Sequence, residues 1–309
     1  MTASVTADQV SRLNERFGHA GRVRFAVGMA GLPRVSLEFG PATLELYLQG
    51  AHITRYQPRN GMDLLWMSDS AVYQTGKALR GGIPLCWPWF GAAADNAARP
   101  QHGYARTSEF AVVSAQADDS ATSIVLALDA AAAPYPDWAN KLQLEFEIRL
   151  ADSLWMEMRS HNQGAESIVI SNALHTYFAI SQRDNVTVPA LTGLAYLDKL
   201  QDYREQLQSD AIELRDEVDR VYLGPPATVE LRDRGRQLVS RVKSWGNNNL
   251  VVWNPGARQA QSMADFDDLG YQHMLCIEPA NALAQSVSLQ PGENHRLGQC
   301  ISVAALAQD

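Results

Sequence analysis

The chain has 309 residues, with 26 Lys+Arg against 34 Asp+Glu for a formal net charge of −8, and 46% of its residues are hydrophobic. That much apolar material supports a large packed core and excludes a disordered chain. The negative balance argues against nucleic acid or an anionic membrane surface as the main partner, but not against a small anion held by one or two local arginines.

The first 25 residues carry no apolar stretch behind basic residues, so they do not read as a secretory signal. Within them Val10, Leu13 and Phe17 recur at helical spacing, which predicts one short amphipathic helix capped by Thr6 or Asp8, within an extension over residues 1–20. Beyond it the period changes to two. Val35, Leu37 and Phe39 alternate with polar or small neighbours, as do Leu44, Leu46 and Leu48. The run Leu142–Leu150 places five apolar side chains on one face of a strand, whereas a helix would scatter them around its surface. Leu154, Met156 and Met158 continue the alternation after Ala151-Asp152-Ser153, which predicts a hairpin. Further strands are expected over Ser123–Leu128, Glu109–Val113, Ser167–Ser171, Asn185–Val188, Thr228–Leu231, Gln237–Trp245, Leu250–Trp253, Met274–Glu278 and Arg296–Val303. Glycine and proline separate them (Gly224-Pro225-Pro226, Pro255-Gly256, Pro291-Gly292). Strand after strand with no regular helical interval predicts an all-β fold of antiparallel sheets with a few short helices, in one domain spanning 1–309. The polar segment Asp198–Glu217 reads as a solvated loop or a short helix. The longest apolar stretches, such as Ala130–Ala133, fall far short of the roughly 18 residues a spanning helix needs. Three cysteines, Cys86, Cys276 and Cys300, show no Cys-x-x-Cys spacing; buried free thiols in a cytoplasmic protein are expected.

Five segments are not explained by strand alternation. Leu79-Arg80-Gly81-Gly82 runs into Trp87-Pro88-Trp89-Phe90, a rigid aromatic stretch around one arginine. It could hold a guanidinium beside a flat sugar ring, or be a packed corner with Arg80 as a surface charge. Gln101-His102-Gly103-Tyr104-Ala105-Arg106 gathers an amide, an imidazole and a guanidinium. In an extended stretch His102 and Arg106 would share a face and could hold hydroxyls and an anion; a polar turn is the alternative. His175 lies among apolar residues in Asn172–Phe178, as a satisfied core histidine or a proton donor near neutral pH. Glu278 ends the apolar run Leu275-Cys276-Ile277, where a carboxylate is costly unless paired or functional. Burial would raise its pKa and suit it to general-base work; a salt bridge at a strand end is the alternative. In Glu217–Tyr222, Asp219 and Arg220 fall on opposite faces of a strand, as ligand hydrogen-bonders or solvent-exposed charges. Dinucleotide, Walker, zinc-protease and hydrolase-elbow motifs are absent.

Taken in order, Arg80-Gly-Gly-Ile-Pro, Gln101–Arg106, Leu174–Phe178, Asp219–Tyr222, Val252–Pro255 and Ile277–Ala280 resemble the motifs of the aldose 1-epimerase (galactose mutarotase-like) family, over about Val35 to Val303. The branch acting on hexose 6-phosphates is the most similar. The resemblance implies a galactose mutarotase-like β-supersandwich with an open cleft on one sheet. It implies an isomerase that interconverts the α and β anomers of glucose 6-phosphate by acid/base ring opening, with no cofactor and no metal. Glu278 matches the family's general base and His175 its general acid. Arg80, Gln101, Arg106 and Asp219 match substrate-binding positions, and His102 matches a histidine that contacts the sugar ring in free-sugar members. The partner is then a small sugar phosphate, with no nucleic acid or membrane, and a monomer is expected. Two departures stand out: the Trp87-Pro-Trp89 wall is unusually aromatic, and Gly256 stands where a bulky residue is expected, which would widen one rim of the cleft. A free-aldose 1-epimerase and a non-catalytic carbohydrate-binding sandwich are the competing functions.

Overall fold

A computed structural model describes residues 7–59, 61–93, 96, 98–138 and 140–307. Strand pairing is antiparallel throughout the named strands, and the alternation in the sequence sets which face each strand buries. In the Leu142–Leu150 strand all five apolar residues are buried, and register pairs Leu150 with Leu154 across the expected hairpin. That hairpin sits within an eight-stranded sheet ordered Val186–Thr187, Thr228–Asp233, Leu238–Trp245, Asn294–Ala305, Leu154–Asn162, Leu142–Leu150, Thr122–Leu128 and Ala111–Ala117.

A second eight-stranded sheet runs Arg204–Leu207, Ala195–Asp198, Val218–Leu223, Asn249–Asn254, Met274–Asn281, Asn172–Leu174 and Leu85–Cys86, with Tyr177–Ala179 also pairing to Met274–Asn281. A four-stranded sheet, Val23–Val27, Pro33–Phe39, Ala42–Tyr47 and His52–Gln57, and a two-stranded ribbon, Ile168–Ile170 with Val287–Leu289, complete the pairing. Phe146 and Met156 of the first large sheet share one buried core with Leu250, Val252, Leu275 and Ile277 of the second. The alternate residues of the second sheet, Val251, Trp253, Cys276 and Ala280, are buried in a separate cluster on its other face, under Trp66, Phe266 and Tyr271. This explains why Met274–Asn281 is buried along its whole length and shows no polar alternation in sequence.

The N-terminal helix spans Ala7–Phe17, and Val10, Leu13 and Phe17 lie half-buried against the main core. Asp8 lies inside its first turn rather than capping it, and Thr6 lies outside the described residues. Among the described residues no helix is long and apolar enough to cross a membrane.

The polar segment after Asp198 is neither a plain loop nor an α-helix. It makes a 3-10 turn over Lys199–Gln201 and then a strand, Arg204–Leu207, paired with Ala195–Asp198. The strand lies at the edge of its sheet, where charged residues are favoured because they discourage pairing with another chain, so it has no apolar period to reveal it.

Candidate active site

Backbone hydrogen bonds draw the sequence motifs together. The Tyr177 N–H donates to the Gly82 carbonyl at 2.9 Å and the His175 N–H to the Pro84 carbonyl at 3.1 Å, which fastens the histidine segment to the Arg80 loop. The Ile277 N–H donates to the Thr176 carbonyl at 3.2 Å, fixing the same segment to the strand that carries Glu278. The N–H groups of Tyr104 and Ala105 both donate to the Trp87 carbonyl, at 3.0 and 3.2 Å. Gly103 makes this last contact possible: its φ is +74°, and a Cβ there would lie 1.9 Å from the Trp87 carbonyl oxygen. Gln101–Arg106 is consequently a turn followed by a 3-10 helix over Ala105–Thr107, not the extended stretch that spacing predicts.

Sheet register places the rest. Asp219, Trp253, Cys276 and Tyr177 form one cross-strand row over four neighbouring strands, and Val221, Val251 and Glu278 form the next. Arg80, Gln101, His102, Arg106, His175, Asp219 and Glu278 all line a single open cleft over this face, with Phe90, Lys199, Val251, Trp253, Gln259 and Met263.

His175 and Glu278 meet at the cleft floor, with Nδ1 and Oε1 3.4 Å apart and the Glu278 side chain 1% exposed. Glu278 Oε2 and His175 Nδ1 are buried and make no hydrogen bond, an arrangement costly in a folded protein and common where a ligand supplies the missing partner. Burial, and then the Asp219 carboxylate, pushes Glu278 well above the usual carboxylate range. Burial, followed by His102, Arg106 and Arg80, holds His175 well below the usual imidazole range. Both shifts favour uncharged forms, a carboxylic acid beside a neutral imidazole. Moving that one proton to the imidazole gives the carboxylate–imidazolium form, so the two groups titrate as a pair. Cys276 Sγ joins them in a buried group whose ligand atoms lie within 4.8 Å of one another, but burial and the nearby Glu278 hold its thiol well above its ordinary pKa. A thiol kept protonated is a poor metal ligand.

Among the described residues three cations ring the cleft. Arg80 donates from Nη1 to the Tyr177 hydroxyl at 3.2 Å and from Nη2 to Asp265 at 3.2 Å. Arg106 donates to the Gln101 carbonyl at 2.7 Å. Lys199 pairs with Asp219 at 2.7 Å; burial opposes its charge, but the Asp219 carboxylate raises its pKa. His102 accepts a hydrogen bond from the Gly91 N–H at Nδ1. That bond puts the proton of the neutral ring on Nε2. Burial, then Arg106, Lys199 and Arg80, keeps His102 neutral.

A family model described as aldose 1-epimerase matches residues 33–302. The chain belongs to the aldose 1-epimerase family. A curated protein of Salmonella typhimurium, "Putative glucose-6-phosphate 1-epimerase", is 34% identical over 258 residues, covering 83% of this chain and 85% of that protein. A plant relative of the same name, from Cenchrus ciliaris, is 33% identical over 262 residues, 82% of this chain and 78% of its own length. The solved structure of YeaD from Salmonella typhimurium superposes with a TM-score of 0.85 at 30% identity, over 92% of this chain and 94% of that one. The fold is thus the galactose mutarotase-like sandwich.

Against that family two sequence expectations change. Trp87 and Trp89 do not face the cleft. Trp87 is 1% exposed and donates from Nε1 to Ser160, while Trp89 packs on Tyr104, Tyr135 and Trp138. The aromatic lining comes instead from Phe90 and Trp253. Gly256 does not open the rim either. Its φ is +60°, and a Cβ would lie 2.7 Å from the Glu217 backbone nitrogen, so the glycine is set by backbone packing. The helix it begins, Gly256–Ser262, brings Gln259 to the cleft, and Met263 follows directly after. Arg220 turns away from the cleft, bonding Gln208 and lying over Tyr196, as opposite-face placement predicts. Lys199 is the charged cleft residue that no sequence motif marks, as Gln259 and Met263 are uncharged ones. Lys199 sits in a polar stretch with no motif, and only the pairing of Ala195–Asp198 with Val218–Leu223 brings it beside Asp219.

Proposed function

We propose that the chain is a hexose-6-phosphate mutarotase that interconverts the anomers of glucose 6-phosphate. The convergence of a buried, unpartnered His175–Glu278 pair with Arg80, Arg106 and Lys199 on one cleft carries the reading. Relatives bearing the name glucose-6-phosphate 1-epimerase support it.

In the carboxylate–imidazolium form, Glu278 takes the proton from the C1 hydroxyl while His175 protonates the ring oxygen as the C1–O5 bond breaks. Each such proton transfer contributes about 10²–10⁴-fold. The open aldehyde rotates about C1–C2. The O5 hydroxyl then attacks the other carbonyl face, returning its proton to His175 as Glu278 reprotonates O1. Within the cleft the uncharged acid–imidazole pair corresponds to the open-chain stage, so burial favours the form the pair holds when the ring is open.

Burial is the main reason His175 is held low, and Arg106 and Arg80 add to it; a substrate phosphate placed among Arg80, Arg106 and Lys199 offsets that added part and so favours the imidazolium needed to start ring opening. Arg80 and Arg106 offer planar forks for the phosphate where Lys199 offers a point charge. Asp219, Gln101 and His102 are then left for the sugar hydroxyls.

The test follows the approach to anomeric equilibrium by NMR, with pure α anomers of glucose 6-phosphate, glucose and galactose and with buffer catalysis subtracted. We expect kcat/KM for glucose 6-phosphate to exceed that for either free sugar by at least about tenfold, the scale of one lost charge-assisted contact. Equal or faster turnover of a free sugar would replace this reading with a free-aldose epimerase. Binding without any rate effect would replace it with a carbohydrate-binding sandwich.

A further inference from the structure

The imidazole of His175 does not stand alone on the sheet. The ring of Tyr177 stacks on it with centroids 4.8 Å apart and planes 8° from parallel, and Trp253 meets both rings edge-on at 5.9 Å. Tyr177 also stacks on Trp66, and its backbone N–H is held by Gly82. Its hydroxyl receives the Arg80 Nη1 bond at 3.2 Å, and Arg80 is braced on its other terminal nitrogen by Asp265. Tyr177 is 2% exposed and is not part of the cleft lining. Burial pushes its phenol pKa up, so the hydroxyl stays protonated and serves as a contact, not as a base.

We propose that Tyr177 is a positioning residue that fixes the ring plane of His175 and transmits to it the state of Arg80, so that an anion taken up by Arg80 orients the imidazole for proton transfer. The inference rests on the mutarotase reading above for its kinetic consequence. The geometry supplies the reason. Arg80 has donors left after its bonds to Tyr177 and Asp265. A phosphate that engages them pulls on a guanidinium joined, through one hydroxyl, to a ring in face contact with the imidazole. Proton transfer to a ring oxygen tolerates little angular error, and a misplacement of about 1 Å can cost about 10²-fold. The charged and titratable groups facing His175 are Glu278, His102, Arg80 and Arg106, with Cys276 beside them. His102 and Phe90 meet the imidazole edge-on at 5.7 and 6.4 Å, as Trp253 does, whereas Tyr177 lies flat against its face.

Three variants separate the parts. Tyr177→Phe keeps the stack and removes the link to Arg80, Asp265→Asn loosens Arg80 from the far side, and Tyr177→Leu removes the stack. We expect Tyr177→Phe and Asp265→Asn each to lower the ratio of kcat with glucose 6-phosphate to kcat with glucose by about three- to tenfold, with KM within about twofold. Tyr177→Leu should lower kcat for both sugars and shift the pH profile of kcat, with partial recovery in Tyr177→Phe. A merely structural tyrosine would lower both rates together in step with the folded fraction and leave their ratio alone. An unchanged ratio in both Tyr177→Phe and Asp265→Asn overturns the proposal. A second readout needs no turnover: inorganic phosphate should move the His175 imidazole nitrogen signals in the unmodified protein, and the movement should fall by more than half in Tyr177→Phe. If the unmodified protein turns over neither sugar, the mutarotase reading fails, and this nitrogen-15 measurement alone decides whether Tyr177 couples Arg80 to His175. Equal movement in both proteins overturns the coupling.

Discussion

Glu278 shows at the scale of one residue how a fold builds reactivity. A carboxylate with one oxygen unpartnered at 1% exposure is expensive, and the sheet around it makes retention of its proton the cheaper state. Replacing it by glutamine preserves the shape and removes the proposed base. Glu278→Gln is expected to lower kcat on glucose 6-phosphate by about 10²–10⁴-fold with KM changed only a few-fold. A variant with a near-native rate would remove Glu278 from the role of base. The pH dependence has a definite sign as well. In the proposed mechanism the pair carries one proton, and activity is expected to be lost at high pH when that last proton leaves. A bound phosphate dianion favours retention of the proton by His175, so the basic limb of kcat should lie at higher pH for glucose 6-phosphate than for free glucose. Parallel profiles with the two sugars test this directly. The carboxylate was legible as a charge at the end of an apolar run and His175 as an imidazole among apolar neighbours; their contact was not, because strand pattern does not place residue 175 beside residue 278.

Among the elements, the strand His52–Gln57 supports the site from behind. His52 Nε2 contacts the Gly81 carbonyl at 2.8 Å, next to Arg80. Burial lowers the His52 pKa from 6.5 to about 4. A histidine depressed on folding contributes stability that is fully present above pH 6.5 and is lost as pH falls toward 4. That difference corresponds to about 3 kcal/mol at most for this one group. Urea unfolding at pH 7.5 and 4.5 should therefore show a loss of stability in acid, and His52→Gln should flatten that dependence even though it lowers stability at pH 7.5. The edge strand Arg204–Leu207 illustrates what sequence patterns hide: its face is solvated and its partner strand short, so neither apolar period nor length announces it. The long hairpin Leu142–Asn162 is the opposite case, where one buried face imposes a period of two that no other element would need.

At the scale of the molecule, the two eight-stranded sheets divide the work. One face of the cleft-bearing sheet joins the main core, and the other carries the site. Phe146 is fully buried in that core on the opposite sheet. Phe146→Ala should cost about 3–5 kcal/mol of stability through lost burial and the cavity it leaves. Because Phe146 lies outside the cleft lining, kcat per folded molecule should stay within about twofold of the unmodified value. Denaturant melts combined with active-site titration separate the two effects.

The residues alone determined the all-β class, because a buried sheet face demands an apolar residue at every second position and that demand is written into Leu142–Leu150 and its neighbours. They also marked the chemistry-bearing segments, since Arg80, His102, Arg106, His175, Asp219 and Glu278 sit where strand alternation has no use for them. Only the tertiary structure decided that these segments share one cleft, that Lys199 and Trp253 join them, and that Trp87, Trp89 and Arg220 do not. Proton affinity at the pair was likewise undecided by sequence, because it depends on burial and on charges brought close by strands far apart in the chain. Cross-strand register is the physical reason: it depends on which strands become neighbours, and hydrophobic pattern within one strand carries no record of that choice.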